Sequence, residues 1–309
     1  MGSIVSSAGA SAASLGQKVK FSPLTPTFGT ELSGVDLSGP ISPQLAQAMR
    51  EAVEKYHLLV VRGQRLAPAQ QETFSRCFGD VVQNVGRLKD GTRLPLVHEI
   101  SNVDDETDQP TDKPYLHATS YWHTDGAHFA TPPSYTILHA VQIPPAGGDT
   151  QFASAIDAYE ALPPEKKQHL DRLRAVHSYG EKHLNIGGPP GKEAEVRDAP
   201  AVVHPLVRTD PVTGQKSLYI GMYAVRIPGM PDTEARALLS SLLEHATQDR
   251  FVYTHVWTPG DVVMWDNRCL LHRAVRNFEM LKHKRVMQRT GIKGTVTTGV
   301  LERELAAHT

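Results

Sequence analysis

The alternation of apolar and polar positions divides the chain into short elements. Over residues 42–56 apolar residues recur at helical spacing, with Leu45, Met49, Ala52 and Val53 along one face and Ser42 placed as an N-cap. The apolar run Leu58-Leu59-Val60-Val61, stopped by Arg62-Gly63, predicts a buried strand, and a helix is expected over 67–78, ended by Gly79. The Pro and Gly density between residues 20 and 40 predicts short strands and turns. Residues 80–121 are weakly patterned apart from a strand at 95–100, and the acidic, turn-rich stretch 102–113 reads as a mobile loop. The remainder is strand-rich, with strands expected at 135–142, 149–153, 218–221, 251–257, 261–265, 270–275 and 285–292. Two helices interrupt that series, over 156–176 with a break at Pro163-Pro164 and over 233–247. Residues 181–200 have no period and read as a long loop.

Strands grouped together, with helices outside them, predict a mainly β fold with flanking helices, a sandwich or barrel, as one domain over residues 20–295. Strands and helices do not alternate regularly and no Gly-x-Gly-x-x-Gly or Walker-type loop occurs, which disfavours a doubly wound nucleotide fold. The Gly/Ala/Ser-rich residues 1–19 read as a flexible leader and residues 296–309 as a C-terminal tail.

Composition changes this picture only by exclusion. With 40% hydrophobic and 21% charged residues among 309, the chain falls in the ordinary globular class. Its 32 Lys+Arg against 33 Asp+Glu leave a formal net charge of −1 with no dense basic run, so no nucleic-acid partner is expected. No apolar stretch approaches the ~18 residues of a membrane-spanning helix, and no membrane association is expected. Cys77 and Cys269 cannot build a disulfide framework and form no Cys-x-x-Cys pair, which fits a reducing, cytoplasmic setting.

Chemistry concentrates at Trp122-His123-Thr124-Asp125-Gly126. In an extended segment residues two apart project to one side, so His123 and Asp125 can share a ligand. His272, in Leu270-Leu271-His272-Arg273-Ala274, is the best candidate for a third donor. Two imidazoles and one carboxylate on one face of a metal leave its other positions open, the arrangement of non-haem Fe(II) oxygenases. The same three residues could instead hold Zn2+ with an activated water, which keeps a metal-dependent hydrolase as the alternative. Arg285 and Arg289 stand four apart, so on a strand both face one way, and forked guanidinium groups suit a carboxylate. Trp257 and Trp265 read as packing residues, Cys269 as a small buried thiol, and Asp266-Asn267 as a turn before the strand of His272. His98, His139 and His245 read as structural or surface residues.

Several short blocks occur together and in order: Trp-His-Thr-Asp at 122–125, Pro132-Pro133, Gly147-Gly148-Asp149-Thr150, His204-Pro205-Leu206-Val207-Arg208, Trp265-Asp266-Asn267-Arg268, His272-Arg273-Ala274, and Arg285 with Arg289. This set resembles the taurine/2,4-dichlorophenoxyacetate dioxygenase family of Fe(II)- and 2-oxoglutarate-dependent oxygenases, over about residues 20–295. The resemblance implies a double-stranded β-helix, a cupin-like jelly roll. It also implies a dioxygenase that consumes O2 and 2-oxoglutarate, releases succinate and CO2, and hydroxylates a C–H bond. By the same resemblance His123, Asp125 and His272 are the iron ligands and catalytic residues. Thr150 helps hold 2-oxoglutarate, Arg285 pairs with its distal carboxylate, and Arg289 sits near the carboxylate beside the keto group. A carboxylate retained at Asp125 implies hydroxylation in place of halogenation.

By position, Asn84, Arg87, Gly126, His128 and Tyr223 fall where relatives build the substrate pocket. Asn84 stands where sulfonate-binding relatives have a histidine, and His128 where the family more often has an apolar aromatic residue, which disfavours taurine itself. Arg87 and Arg289 suit a small anionic substrate, a carboxylate, sulfonate or aryloxyalkanoate, whose hydroxylated product can collapse by dealkylation or desulfonation. By analogy with relatives, a homo-oligomer, dimer or tetramer, is expected.

Overall fold

All four residues of Leu58–Val61 are buried because the strand has neighbours on both edges, Thr30–Ser33 parallel to it and Val262–Asp266 antiparallel. They belong to a seven-stranded sheet in the spatial order Lys20–Pro23, Thr30–Ser33, Leu58–Val61, Val262–Asp266, Tyr135–Gln142, Val286–Ile292, His98–Ser101. A second, three-stranded sheet holds Val252–His255, Thr150–Ser154 and Leu270–Ala274. Leu138, Ala140, Val263, Trp265 and Met287 from the first sheet share one core cluster with Phe152 and Leu270 from the second, and the Phe152 and Trp265 rings lie 5.4 Å apart. Two sheets closed over one apolar interior make the jelly roll. A four-stranded sheet (Ala224–Arg226, Arg174–His177, Val202–Pro205, Val300–Leu301) and the pair Val207–Thr209 with Lys216–Leu218 complete the β structure.

The computed structural model describes residues 19–82, 91–191, 196–197, 199–211, 213–294 and 298–302. Asn84 and Arg87, the leader up to residue 18, part of the loop expected over 181–200 and most of the tail lie outside these residues.

Helix Pro43–Tyr56 begins where Ser42 Oγ accepts from the Leu45 N–H at 3.1 Å, and it ends at His57, whose φ of 64° breaks the helical path. Its buried face packs Met49, Ala52 and Val53 against Leu59, Val61, Ile137 and Met264 of the large sheet. Helix Asp232–Ala246 buries Ala235, Leu239, Leu242 and Ala246 in a cluster with Ala155, Ala158 and Leu170. Among the described residues no helix is long and apolar enough to cross a membrane.

The largest difference from the sequence pattern lies in the helix expected over 156–176. Two short helices form, Ala155–Glu160 and Pro164–Leu170, separated at the Pro163-Pro164 break, and Arg174–His177 is a strand. Ala175 and Val176 pair with His204 and Val203 across the sheet, and four apolar-rich residues with a distant partner carry no helical or strand period of their own. The strands Val202–Pro205, Val207–Thr209 and Ala224–Arg226 went unread for the same reason. Past residue 295, Val300 and Leu301 pair with Val203 and Val202, and the Glu302 carboxylate accepts from Arg226 Nη2 at 2.9 Å. The acidic stretch 102–113 closes on itself: Asp104 Oδ1 accepts from the Thr107 N–H at 2.9 Å, and Val103 bridges to Pro110.

Candidate active site

His272 lies in the strand Leu270–Ala274, and its backbone pairs with that of His123 across an isolated antiparallel bridge. The His123 N–H donates to the His272 carbonyl at 3.0 Å and the His272 N–H to the His123 carbonyl at 2.8 Å. Such a pair sets two side chains next to each other on one face, and the imidazole centroids are 4.2 Å apart. Asp125 brings its carboxylate to the same point, with Oδ1 3.9 Å from His123 Nε2 and Oδ2 3.6 Å from His272 Nε2. One donor atom from each of the three residues lies within 4.8 Å of the other two.

The protonation of this cluster suits a metal ion. His123 Nδ1–H donates to the Tyr121 carbonyl at 2.7 Å, which leaves the Nε2 lone pair facing the cluster. Burial lowers both imidazoles, and for His272 the neighbouring His123 and Arg289 add to burial to push it down to about 3. Burial would raise the Asp125 carboxyl, but the Arg289 guanidinium, the two imidazoles and the Thr136 hydroxyl hold it well below the usual carboxylate range. Near neutral pH the three therefore offer two neutral nitrogens and one carboxylate, a donor set that fits a first-row divalent metal.

A chain of hydrogen bonds fixes the carboxylate. Thr136 Oγ1 donates to Asp125 Oδ2 at 2.7 Å and accepts from Asn267 Nδ2 at 2.9 Å, while Asn267 Oδ1 accepts from Trp265 Nε1 at 3.0 Å. Arg289 Nη2 lies 2.9 Å from the same Asp125 oxygen. Trp265 and Asn267 thus do more than pack and turn. Thr136 was missed, although a hydroxyl in the apolar run Tyr135–Gln142 was the available signal. Thr136→Val keeps the shape but removes the link. We expect it to weaken Mn(II) binding by roughly 10- to 100-fold, read by metal titration with thermal unfolding as the control for the fold.

Arg285 occupies a different environment. It lies just before the strand Val286–Ile292, its backbone N–H donates to Asn102 Oδ1 at 2.6 Å, and its Nε donates to the Gly148 carbonyl at 3.0 Å. Among the described residues no carboxylate lies within ion-pair distance of it, and burial, partly offset by Asp149, lowers its guanidinium to about 10. The Gly147-Gly148 turn makes room for it. Gly147 has φ of 74°, and a Cβ there would lie 2.2 Å from the Asn277 carbonyl oxygen; at Gly148 a Cβ would meet Arg285 Cδ at 3.2 Å. Arg285 lines a small pocket together with Ile100, Leu116, Thr119, Ala274 and Met280. Ala274, on the same strand face as His272, pairs with Thr150, whose Oγ1 accepts from Trp257 Nε1 at 3.0 Å and keeps its own O–H available. A half-buried guanidinium with no ion-pair partner among the described residues suits a carboxylate.

A second group, His57, Asp266 and Cys269, also comes within 4.8 Å. There Arg268 already holds both carboxylate oxygens, Nε to Oδ1 at 2.8 Å and Nη2 to Oδ2 at 2.7 Å, and burial pushes the Cys269 thiol up. A cation would sit against a guanidinium, so this group is an internal ion pair.

Comparison with known proteins agrees with this geometry. The sequence model described as Taurine catabolism dioxygenase TauD, TfdA family matches residues 20–290. The chain belongs to this family. It is 35% identical over 281 residues to the alpha-ketoglutarate-dependent 2,4-dichlorophenoxyacetate dioxygenase of Cupriavidus pinatubonensis, covering 89% of this chain and 98% of that protein. It is 30% identical over 287 residues to the alpha-ketoglutarate-dependent sulfate ester dioxygenase of Pseudomonas putida, covering 90% of each. The crystal structure of AAD-2 with Mn(II) and N-oxalylglycine matches it with a TM-score of 0.85 at 33% identity, covering 91% of this chain and 100% of that one. The protein is a 2-oxoglutarate-dependent dioxygenase, an oxidoreductase whose metal is Fe(II).

Beside the His123–Asp125–His272 cluster of the dioxygenase stand aromatic residues. Tyr223 lies edge-on to His123 at 6.5 Å, and His128 is 4.8 Å from Tyr223. Gly126 is held for a steric reason: its φ is 64°, and a Cβ would lie 2.4 Å from Pro133 Cδ. Lys182, in the unpatterned loop and singled out by no motif, has its ammonium over the Tyr179 ring.

Buried histidines also set the dioxygenase's acid limit. Burial, reinforced by a nearby cation in each case, lowers His98 to about 4, His128 to about 3 and His204 to about 4, from 6.5. Between those values the unfolded chain binds protons that the folded one refuses, so stability falls as pH drops through that window. Melting temperature is expected to stay level above about pH 7 and to decline steadily from there toward pH 4; a flat profile would contradict these shifts.

Proposed function

We propose that His123, Asp125 and His272 bind the Fe(II) of this dioxygenase, and that Arg285 and Thr150 bind 2-oxoglutarate. We further propose that the substrate is a small organic anion, an aryloxyalkanoate, sulfonate or sulfate ester, hydroxylated at a C–H bond. The observation that carries this reading is the convergence of two neutral imidazoles and one carboxylate, with one donor atom each within 4.8 Å, on a jelly roll that also holds, half-buried, an Arg285 guanidinium with no carboxylate partner among the described residues. When bound, Fe(II) with 2-oxoglutarate activates O2, giving succinate and CO2 and one oxygen inserted into the substrate.

The chain's own residues contribute binding, orientation and electrostatics. The Tyr121 carbonyl fixes the His123 tautomer. Thr136 and Arg289 hold the Asp125 carboxylate in its ionised form. Arg285 meets the distal carboxylate of 2-oxoglutarate, with the Thr150 hydroxyl as a second donor. Tyr223 and His128 exclude water on the substrate side. Where hydroxylation falls on a carbon bearing an ether oxygen or a sulfate, the product is a hemiacetal-type species that fragments.

The test is succinate release from purified protein supplied with Fe(II), O2 and 2-oxoglutarate, against 2,4-dichlorophenoxyacetate, phenoxypropionate, octyl sulfate and an alkanesulfonate. Release that requires all three co-reactants and at least one of these anions is the expected result. Substrate turnover without O2 and indifferent to 2-oxoglutarate would overturn the proposal.

A further inference from the structure

The aromatic side of the site contains a cation and a buried imidazole that the metal cluster and the Arg285 cavity do not use. Tyr179 stacks on Tyr223 at 6.2 Å and lies 5.1 Å from His128, which in turn lies 4.8 Å from Tyr223. Tyr223 then reaches the His123 ring edge-on at 6.5 Å, so one continuous wall runs from the metal cluster outward to Tyr179. At the outer end the Lys182 ammonium sits 3.6 Å from the centre of the Tyr179 ring.

Two features of this wall are unsatisfied. His128 is 5% exposed, and neither of its ring nitrogens has a hydrogen-bond partner among the described residues. A buried donor and acceptor left in this way cost free energy unless something polar meets them. Lys182 has no carboxylate within ion-pair distance among the described residues, and the ring face under it satisfies none of its three N–H donors in full. Its charge is felt at His128 and at His123, where it opposes protonation.

The other described cation close to the cluster, Arg289, faces Asp125. Arg289 Nη2 is 2.9 Å from Asp125 Oδ2, and each side chain is 15% exposed, so that guanidinium stands against the carboxylate of the cluster.

We propose that Lys182 is a specificity-determining residue for this dioxygenase: its ammonium pairs with the anionic group of the substrate, His128 supplies a second polar contact, and the apolar body of the substrate lies against Tyr179 and Tyr223. This rests on the reading of the substrate as a small organic anion and adds which residue selects the charge. The substrate then spans the wall, with its anion outermost and its reactive carbon toward His123.

The test uses the full chain loaded with Mn(II) and N-oxalylglycine, titrated calorimetrically with 2,4-dichlorophenoxyacetate, octyl sulfate and the neutral 2,4-dichlorophenoxyacetamide. Lys182→Met keeps an unbranched chain over the Tyr179 ring and removes the charge. It is expected to weaken binding of the anions by roughly 10- to 100-fold and that of the amide by less than about threefold, while Lys182→Arg stays within about fivefold of the wild type. In turnover the Met variant should lose kcat/KM through KM, with kcat held. The proposal is overturned if Lys182→Met binds the anions like the wild type, if anions and amide weaken alike, or if the wild type binds neither anion. Succinate release by the wild type is read separately: its absence with every anion sinks the functional reading, whereas its presence with unchanged Lys182→Met kinetics sinks only the Lys182 assignment.

Discussion

His272→Ala is expected to lower succinate release by on the order of 1000-fold or more and to abolish tight Mn(II) binding. The residue supplies one of three donors, and its Nε2 lies 3.6 Å from Asp125 Oδ2. Without it, two donors remain on one side of the ion, and the ionised Asp125 keeps His123, Arg289 and the Thr136 hydroxyl as near partners. The fold has other reasons to hold. The His123–His272 bridge is made by backbone atoms, which alanine keeps, and the Leu270–Ala274 strand pairs with Thr150–Ser154 through its main chain. Removing the imidazole also opens a cavity next to Trp265 and Phe152, whose rings lie 4.7 and 6.2 Å away. A stability loss of about 1–3 kcal/mol is expected from that cavity. Measuring activity, metal titration and the thermal midpoint on the same preparation separates ligand loss from unfolding. Activity within tenfold of the wild type would show that His272 is not a ligand.

Arg285→Met is expected to raise the KM for 2-oxoglutarate by roughly 100-fold while the protein without co-substrate stays as stable as the wild type or becomes more so. Both halves follow from one fact. The guanidinium is half-buried, lowered to about 10, and has no ion-pair partner among the described residues, so in the free protein its charge carries a desolvation cost. A dicarboxylate arriving in the cavity it lines turns that cost into a charge-assisted, two-point contact. Methionine fills a similar volume without the charge, and among the described residues the bond from Nε to the Gly148 carbonyl and the attraction of Asp149 are lost in exchange. N-oxalylglycine should accordingly raise the melting temperature of the wild type and leave that of the variant nearly unmoved. A KM within threefold of the wild type would remove Arg285 from the co-substrate site.

The parts of this site that could be read from sequence are those that depend on local spacing. His123 and Asp125 declare themselves because residues two apart share one face of an extended chain, and Ser42, Pro163-Pro164 and the Leu58–Val61 run announce their own elements. His272 is only a candidate third donor in the sequence, made firmer by the resemblance of ordered blocks, since the bridge joining it to His123 is a long-range pairing with no sequence period. Arg289 shows where spacing stops informing. It stands on the same strand run as Arg285, yet its cross-strand neighbours are Leu138 and His98 and its charge goes to Asp125. Thr136 and Lys182 carried no motif, and only the closed sheets show what they face. The helical expectation over 156–176 fails at Arg174–Val176 because the strand there takes its identity from pairing with Val202–Pro205, not from its own residues.

A crystal structure of the protein grown with Mn(II) and N-oxalylglycine, with anomalous scattering recorded at the manganese edge, is the most direct measurement. One strong peak is predicted within coordination distance of His123 Nε2, an Asp125 carboxylate oxygen and His272 Nε2, with the distal carboxylate of N-oxalylglycine on Arg285. A peak at His57, Asp266 and Cys269, or one that leaves any of His123, Asp125 and His272 uncoordinated, would contradict it.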